Sequence, residues 1–256
     1  MRRGAAEGTP TVLAAGGSDP SCGAGIQADM AALDGFGVRA LTVVTALTAQ
    51  NSTRLTAVEP VPAALIEAQF EALLEEFHVD AVKIGMLARA DAAAAVRRII
   101  ESKGLERVVL DPVFRSTSGG PLAEPEAVEE TVRIFPLTAL VTPNLDEAAR
   151  LARMEVGTVE EMEEAGRRIM RLGAPAVLVK GGHLGDGDPV DVLCRAGGTV
   201  RFEGRRVKGS MRGTGCRLAS AVAAGLARGR SLEEAVADAK AYVEALIAGV
   251  QRAGKP

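Results

Sequence analysis

The 256-residue sequence predicts an α/β fold, a single doubly wound domain whose mostly parallel central sheet carries helices on both faces. Three observations predict it. Short β-like runs alternate with helical stretches along the whole chain. Those runs are near-continuously apolar, as in strands covered on both faces, rather than alternating. No Pro-, Ser- or Gly-rich linker and no internal repeat divides the chain.

The elements follow in order. The opening MRRGAAEGTP reads as a loose tail, TVLAAGG (11–17) as the first strand, and GIQADMAALDGFG as the helix after it. ALTVVTAL (40–47) is a second strand, and PAALIEAQFEALLEEF (62–77) places apolar residues at helical spacing. A strand DAVKIG (80–85), a helix DAAAAVRRIIESKG (91–104) and a strand RVVLDPV (107–113) come next. The helix PEAVEETVRIF leads to ALVTPN (139–144), then two helices run to Gly173 before the strand PAVLVKGG (175–182). DVLCRAGG and TVRFEGRRV meet at a Gly-Gly turn and read as a hairpin over 191–207. Two helices, 214–228 and 231–253, close the chain. Ligands of such sheets bind beyond the carboxyl ends of the strands. The polar or Gly-rich ends GGSDPSCGAG, TAQN, KIGM, LDPV, TPNLDE and VKGGH are therefore the places to look.

Composition narrows the function. Apolar residues make up 47%, enough for a large core. A net charge of −3 with dispersed Arg and Lys leaves no footprint for nucleic acid, and 3% aromatics with no Trp leave no stacking platform. The first apolar run is too short for a signal peptide, and nothing approaches the ~18 apolar residues of a membrane span, so a cytoplasmic protein is expected. Three scattered cysteines and two histidines argue against a disulfide framework, a structural zinc site or a Ser-His-Asp triad. No GxGxxG fingerprint occurs. The P-loop-like spacing from Gly249 to Lys255 has neither a preceding strand nor a following Ser or Thr, and is read as chance.

Gly213-Thr214-Gly215 opens an alanine-rich helix and is followed by Cys216. Unpaired N–H groups and the positive helix end suit an anion there, with Arg212 and Arg217 adding charge. The plain alternative is a tightly packed helix start. A thiol at such a place is expected to ionise readily, within about 3.5–7.5, and to act as a base or hold developing charge; the alternative is an inert core cysteine. Cys194, inside an apolar strand, reads as core. Lys180 and Asp111 both end apolar strands at the ligand edge, and Asp111 there suits water-mediated Mg²⁺.

GSDPSCGAGIQAD, VVTALTAQN, VKIGML, LDPV with TSGGPL, TPNLDEA, VLVKGGH and GTGC occur in one order from Thr11 to the last helix. Together they resemble the hydroxymethylpyrimidine/phosphomethylpyrimidine kinases of thiamine biosynthesis, in the ribokinase-like superfamily. The resemblance implies ATP as phosphoryl donor, Mg²⁺, a small pyrimidine substrate and, as relatives are commonly dimers, a homodimer. It implies that Cys216 replaces the aspartate base of related sugar kinases, with Gly213 and Gly215 in the catalytic turn. Lys180, Asn144, Thr214 and Gly215 would meet ATP. Asp111 and Glu147 would hold the metal, although Asn144 and Glu147 also fit a helix cap. Asp29 would bind the aminopyrimidine, where the alternative is a solvated helix-face acid. Gln50 has an amide that matches an aminopyrimidine edge. Gly17 and Ala24 would admit the ring, with Met86 and Val113 as apolar walls.

Two departures stand out: Cys22 where the family usually has glycine, and Arg212 where it often has histidine. Cys22 is expected to tighten the substrate loop, and Arg212 to contact phosphate or shift substrate preference. The function expected is phosphorylation of 4-amino-5-hydroxymethyl-2-methylpyrimidine and then of its monophosphate. The rivals are a pyridoxal kinase, which shares fold and cysteine, and a non-catalytic vitamin-binding protein.

Overall fold

A computed structural model of the chain describes residues 8–115, 120–182, 184, 187–207 and 211–252. The first seven residues of the expected tail, residues 117–119 of TSGGPL, His183 and the end of the 249–255 run lie outside them. The described strands are β1 (Thr11–Ser18), β2 (Arg39–Gln50), β3 (Leu55–Pro60), β4 (Ala81–Ile84), β5 (Val108–Leu110), β6 (Leu140–Val141), β7 (Ala176–Val179), β8 (Val190–Arg195) and β9 (Gly198–Glu203). They form one sheet in the order β3-β2-β1-β4-β5-β6-β7-β8-β9. The six central strands are parallel, while β3 pairs antiparallel with β2 at one edge and, at the other, β8 pairs antiparallel with both β7 and β9.

The helices are α1 (Gly25–Gly35), α2 (Ala63–Glu76), α3 (Ala90–Lys103), α4 (Pro125–Val132), α5 (Leu145–Ala152), α6 (Val159–Met170), α7 (Thr214–Ala227) and α8 (Leu232–Arg252). Period-2 alternation sends each strand's side chains to two cores. Leu13, Ala15, Val82, Ile84, Val177 and Val179 pack with α2, α3, α5 and α6, whereas Val12, Ala14, Ala176 and Leu178 pack with α1, α7 and α8. Fully buried Phe70, Phe135 and Leu13 each contribute about 1.5–3 kcal/mol through their transfer from water. Among the described residues no helix is long and apolar enough to cross a membrane.

Three elements depart from expectation. Strand β3 was not anticipated: its half-exposed LTAVEP lacks a continuous apolar run, and it forms because β2 continues to Gln50 and offers it an antiparallel partner. The expected helix PEAVEETVRIF stops at Val132, and a 3-10 turn at Phe135–Leu137 accommodates Pro136, which cannot continue an α-helix. The strand around ALVTPN is only Leu140–Val141.

Candidate active site

Chain order reverses beside β1: β2 lies on one side of it and β4 on the other, which makes their carboxyl ends the switch point where such sheets bind ligands. A cleft of about 590 Å³ opens along this edge, from Gln50 and Gly17 on the β2–β1 side to Val243 and Ile247 of α8 beyond β7. Thr214, Gly215 and Cys216 of α7 line its middle, together with Asp111 and Lys180.

Gly213 takes the left-handed conformation (φ 69°) ahead of α7, and a Cβ on it would strike the backbone of Gly23 and Ala24. Arg217 N is the first in the helix to pair, with Gly213 O at 3.0 Å, so the N–H groups of Thr214, Gly215 and Cys216 lead the helix at its positive end. A Cβ on Gly215 would lie 3.0 Å from Lys180 Nζ, which is how closely that ammonium approaches the turn. The Cys216 thiol corrects the sequence reading. Burial pushes it up to about 11; Lys83 and Lys180 oppose this, while Asp29 and Asp111 add to it. Burial thus favours a protonated thiol over a thiolate.

Lys180 and Asp111 form an ion pair of 2.6 Å, and the Thr142 hydroxyl donates to the same Asp111 oxygen at 3.2 Å. Burial works against charge on Lys180, but Asp111 and Glu147 outweigh it and raise its pKa. Asn144 and Glu147 do form the helix cap. Asn144 Oδ1 accepts from Glu147 N at 2.9 Å, and Glu147 Oε2 accepts from Asn144 N at 2.8 Å. Both residues also line the cleft. Burial lifts the Glu147 carboxyl to about 7, with Asp111 adding and Lys180 opposing. Among the described residues no group of three His, Cys, Asp or Glu side chains could hold a metal by itself. Two carboxylates fit Mg²⁺, which keeps several waters and takes its remaining ligands from phosphate.

Asp29 is not a solvated helix-face acid. It is fully buried, accepts from Lys83 Nζ at 2.9 Å and from Ser220 Oγ at 2.9 Å, and reaches the cleft from below. Its carboxylate therefore already has two partners of its own. Lys83 and Ser220 were missed by sequence reasoning. Lys83 lies on the α1 and α7 side of β4 because its neighbours Val82 and Ile84 point the other way, and Ser220 stands one turn after Cys216. Burial opposes charge on Lys83, but Asp29, with Asp111 beyond it, outweighs burial and raises its pKa. The available signal was a lysine inside an apolar run, which cannot be buried without a carboxylate.

At the other end, Gly17, Ala24, Gln50, Met86 and Val113 all line the cleft, and Met86 lies against Gly17. Met86 and Val113 join Leu122 and the β3 residues Leu55 and Val58 in a separate small apolar cluster. Arg212 donates to Gln50 Oε1 at 2.7 Å and to Ser21 Oγ at 3.0 Å, and pairs with Asp19 at 3.5 Å. Arg217 Nη1 donates to the carbonyls of Gly23 and Arg212. In this structure both arginines are tied to protein oxygens. Cys22 is exposed and takes φ 57°, a left-handed turn that favours glycine, with its N–H bonded to Asp19 O at 3.0 Å. Cys194 is core, 1% exposed.

Residues 19–255 match the family described as phosphomethylpyrimidine kinase. The chain is 44% identical over 247 residues to a hydroxymethylpyrimidine/phosphomethylpyrimidine kinase of Rhizobium meliloti (strain 1021), covering 95% of this chain and 92% of that protein. Among solved structures it resembles a phosphomethylpyrimidine kinase from Clostridium difficile 630, with a TM-score of 0.82 and 36% identity over 93% of this chain and 99% of that one. It also resembles an ADP complex of Bacillus subtilis pyridoxal kinase, with a TM-score of 0.88 and 34% identity over 94% of this chain and 92% of that one. With its ordered motifs, its one mixed sheet and the Gly-Thr-Gly-Cys turn at the switch-point cleft, the chain is a kinase of the phosphomethylpyrimidine kinase family.

Proposed function

We propose that the protein transfers the γ-phosphoryl group of ATP to the hydroxymethyl group of 4-amino-5-hydroxymethyl-2-methylpyrimidine, and then to the resulting monophosphate, for thiamine biosynthesis. The observation that carries this reading is the meeting of the first-turn N–H groups of α7 with Lys180 and Asp111 in one cleft, beside the Gln50 amide. Phosphoryl transfer has little covalent work for a protein, so position and charge carry most of the rate. The amides of Thr214, Gly215 and Cys216 would face the transferring group, and Lys180 would exchange Asp111 for a phosphate oxygen. Asp111 and Glu147 would then hold Mg²⁺, which neutralises phosphate charge. The protonated Cys216 thiol would orient the acceptor hydroxyl by a hydrogen bond. The apolar side chains Val243 and Ile247 at the far end of the cleft suit the nucleoside of ATP.

The test is ADP release with ATP and Mg²⁺ and, separately, hydroxymethylpyrimidine, its monophosphate or pyridoxal. Turnover of both pyrimidines well above pyridoxal is expected. Turnover of pyridoxal alone would move the protein to the activity named for its Bacillus subtilis neighbour.

A further inference from the structure

Gln50 sits in a hydrogen-bond chain whose two ends admit only one direction. At one end the Arg212 guanidinium donates to Gln50 Oε1 at 2.7 Å, and a guanidinium has no acceptor. Gln50 Nε2 then donates to Thr48 Oγ1 at 2.8 Å. The Thr48 hydroxyl donates in turn to Ser18 O at 2.8 Å, a backbone carbonyl that can only accept. An amide turned by 180° would set its NH₂ group against Arg212 and its oxygen against a hydroxyl whose proton is already committed. Arg212 is itself held by Ser21 and by the fully buried Asp19, which also accepts from Ala24 N at 2.9 Å, so the anchor belongs to the loop that forms the pocket wall.

We infer that Arg212 is a positioning residue that locks the orientation of the Gln50 amide, and so sets which hydrogen-bond pattern the pocket accepts. The inference rests on the reading of Gln50 as the contact for the pyrimidine edge. With these bonds made, Gln50 has one N–H and one oxygen lone pair left to offer. Side by side they complement an amidine edge, a ring nitrogen that accepts next to an amino group that donates. This is the same logic by which a glutamine side chain reads adenine. A lactam edge presents the reverse pattern, a ring N–H beside a carbonyl, and meets two mismatches. An unlocked amide would turn over and accept either.

The experiment measures binding by calorimetry, without ATP, of 4-amino-5-hydroxymethyl-2-methylpyrimidine and of its 4-oxo counterpart. Two mismatched bonds at the amide should make the wild-type protein prefer the amino compound by roughly 10²-fold. Arg212→Met should bring the two affinities within a few-fold of each other, because the Thr48 hydroxyl can rotate to donate to a turned amide, whereas Arg212→Lys, which still only donates, should keep most of the preference. A purely structural role would weaken both ligands together and leave their ratio unchanged. Thr48→Val, a replacement of similar shape, should retain the preference because Arg212 alone still excludes the flipped amide. Loss of the preference in Thr48→Val would overturn the assignment, even if Arg212→Met does not fold. A full preference surviving in a folded Arg212→Met protein overturns it too, and leaves the pyrimidine reading standing. A wild-type protein that binds neither pyrimidine overturns both.

Discussion

Removing one partner of the Asp29–Lys83 pair tests the electrostatic floor of the site. The two side chains are 0% and 1% exposed and 2.9 Å apart, so neither charge can recover water when the other is deleted. Breaking a buried pair from one side costs about 3–5 kcal/mol, a large share of the roughly 5–15 kcal/mol that holds a domain folded. Lys83→Met keeps the length of the side chain and leaves the Asp29 carboxyl with the Ser220 hydroxyl alone. Burial already raises that carboxyl's pKa, and losing Lys83 raises it further. A carboxyl raised in this way adds stability only while protonated, and that contribution is lost as pH rises through its folded pKa. The Lys83→Met deficit should therefore grow from acid toward neutral pH. Asp29→Asn leaves the ammonium unpaired and should cost a similar amount. The double variant Asp29→Asn/Lys83→Met buries no charge and should recover most of the loss. Urea unfolding of all four proteins, at pH 5 and pH 8, reads the coupling directly. Additive losses in the double variant would refute the argument, because they would mean that the two charges do not depend on each other.

Two further outcomes follow from single side chains. With its thiol raised to about 11, Cys216 should be alkylated by iodoacetamide roughly 10²-fold more slowly at pH 7.5 than a free thiol of pKa ~8.5, and should speed up about tenfold per pH unit up to its pKa; mass-spectrometric labelling as fast as glutathione at pH 7.5 would contradict a protonated resting thiol. Cys22→Gly removes a side chain from a left-handed turn that costs a non-glycine residue about 1 kcal/mol, so thermal unfolding should show a midpoint unchanged or raised by roughly 2–4 °C; a clear drop would mean that the Cys22 side chain contributes packing.

The sequence carried the fold wherever a continuous apolar run marked a strand buried on both faces, as in Val12–Ala15 and Ala176–Val179. It did not carry β3, because an edge strand with one exposed face has no such run and depends on an overhang of its neighbour. The line of residues at the strand ends was legible for a related reason: a polar residue that closes an apolar run must emerge at the carboxyl edge. Asp111 and Lys180 were singled out that way. The pairing between side chains was not legible, since it joins positions far apart in the chain. Arg212 and Gln50 are 162 residues apart, and Ser220 and Asp29 are 191 apart. The misjudged thiol has the same origin. A helix N-terminus and two arginines favour a thiolate in isolation, but both arginines turn to protein oxygens, and burial outweighs the two lysines that favour charge.

Three Asp–Lys pairs line the cleft, and their exposure sorts what each can do. Asp29–Lys83 is the most deeply buried of the three and meets the cleft from below. Asp191–Lys240, 2.7 Å apart and 8% and 10% exposed, also binds Gly181 N through the second Asp191 oxygen, which fastens the glycine turn after Lys180 to α8. Asp111–Lys180 stands beside the first turn of α7, with Lys180 at 13% exposure. A buried cation and a buried carboxylate each need a counterion when the site is empty, and here each supplies the other's. An arriving phosphate with its metal carries both counterions at once, and can take Lys180 and Asp111 in a single exchange without leaving either charge bare. A ligand carrying only one of the two would strand the other partner. On this argument nucleotide and metal should bind with strong mutual dependence, and that dependence should weaken when Lys180 and Asp111 are neutralised together.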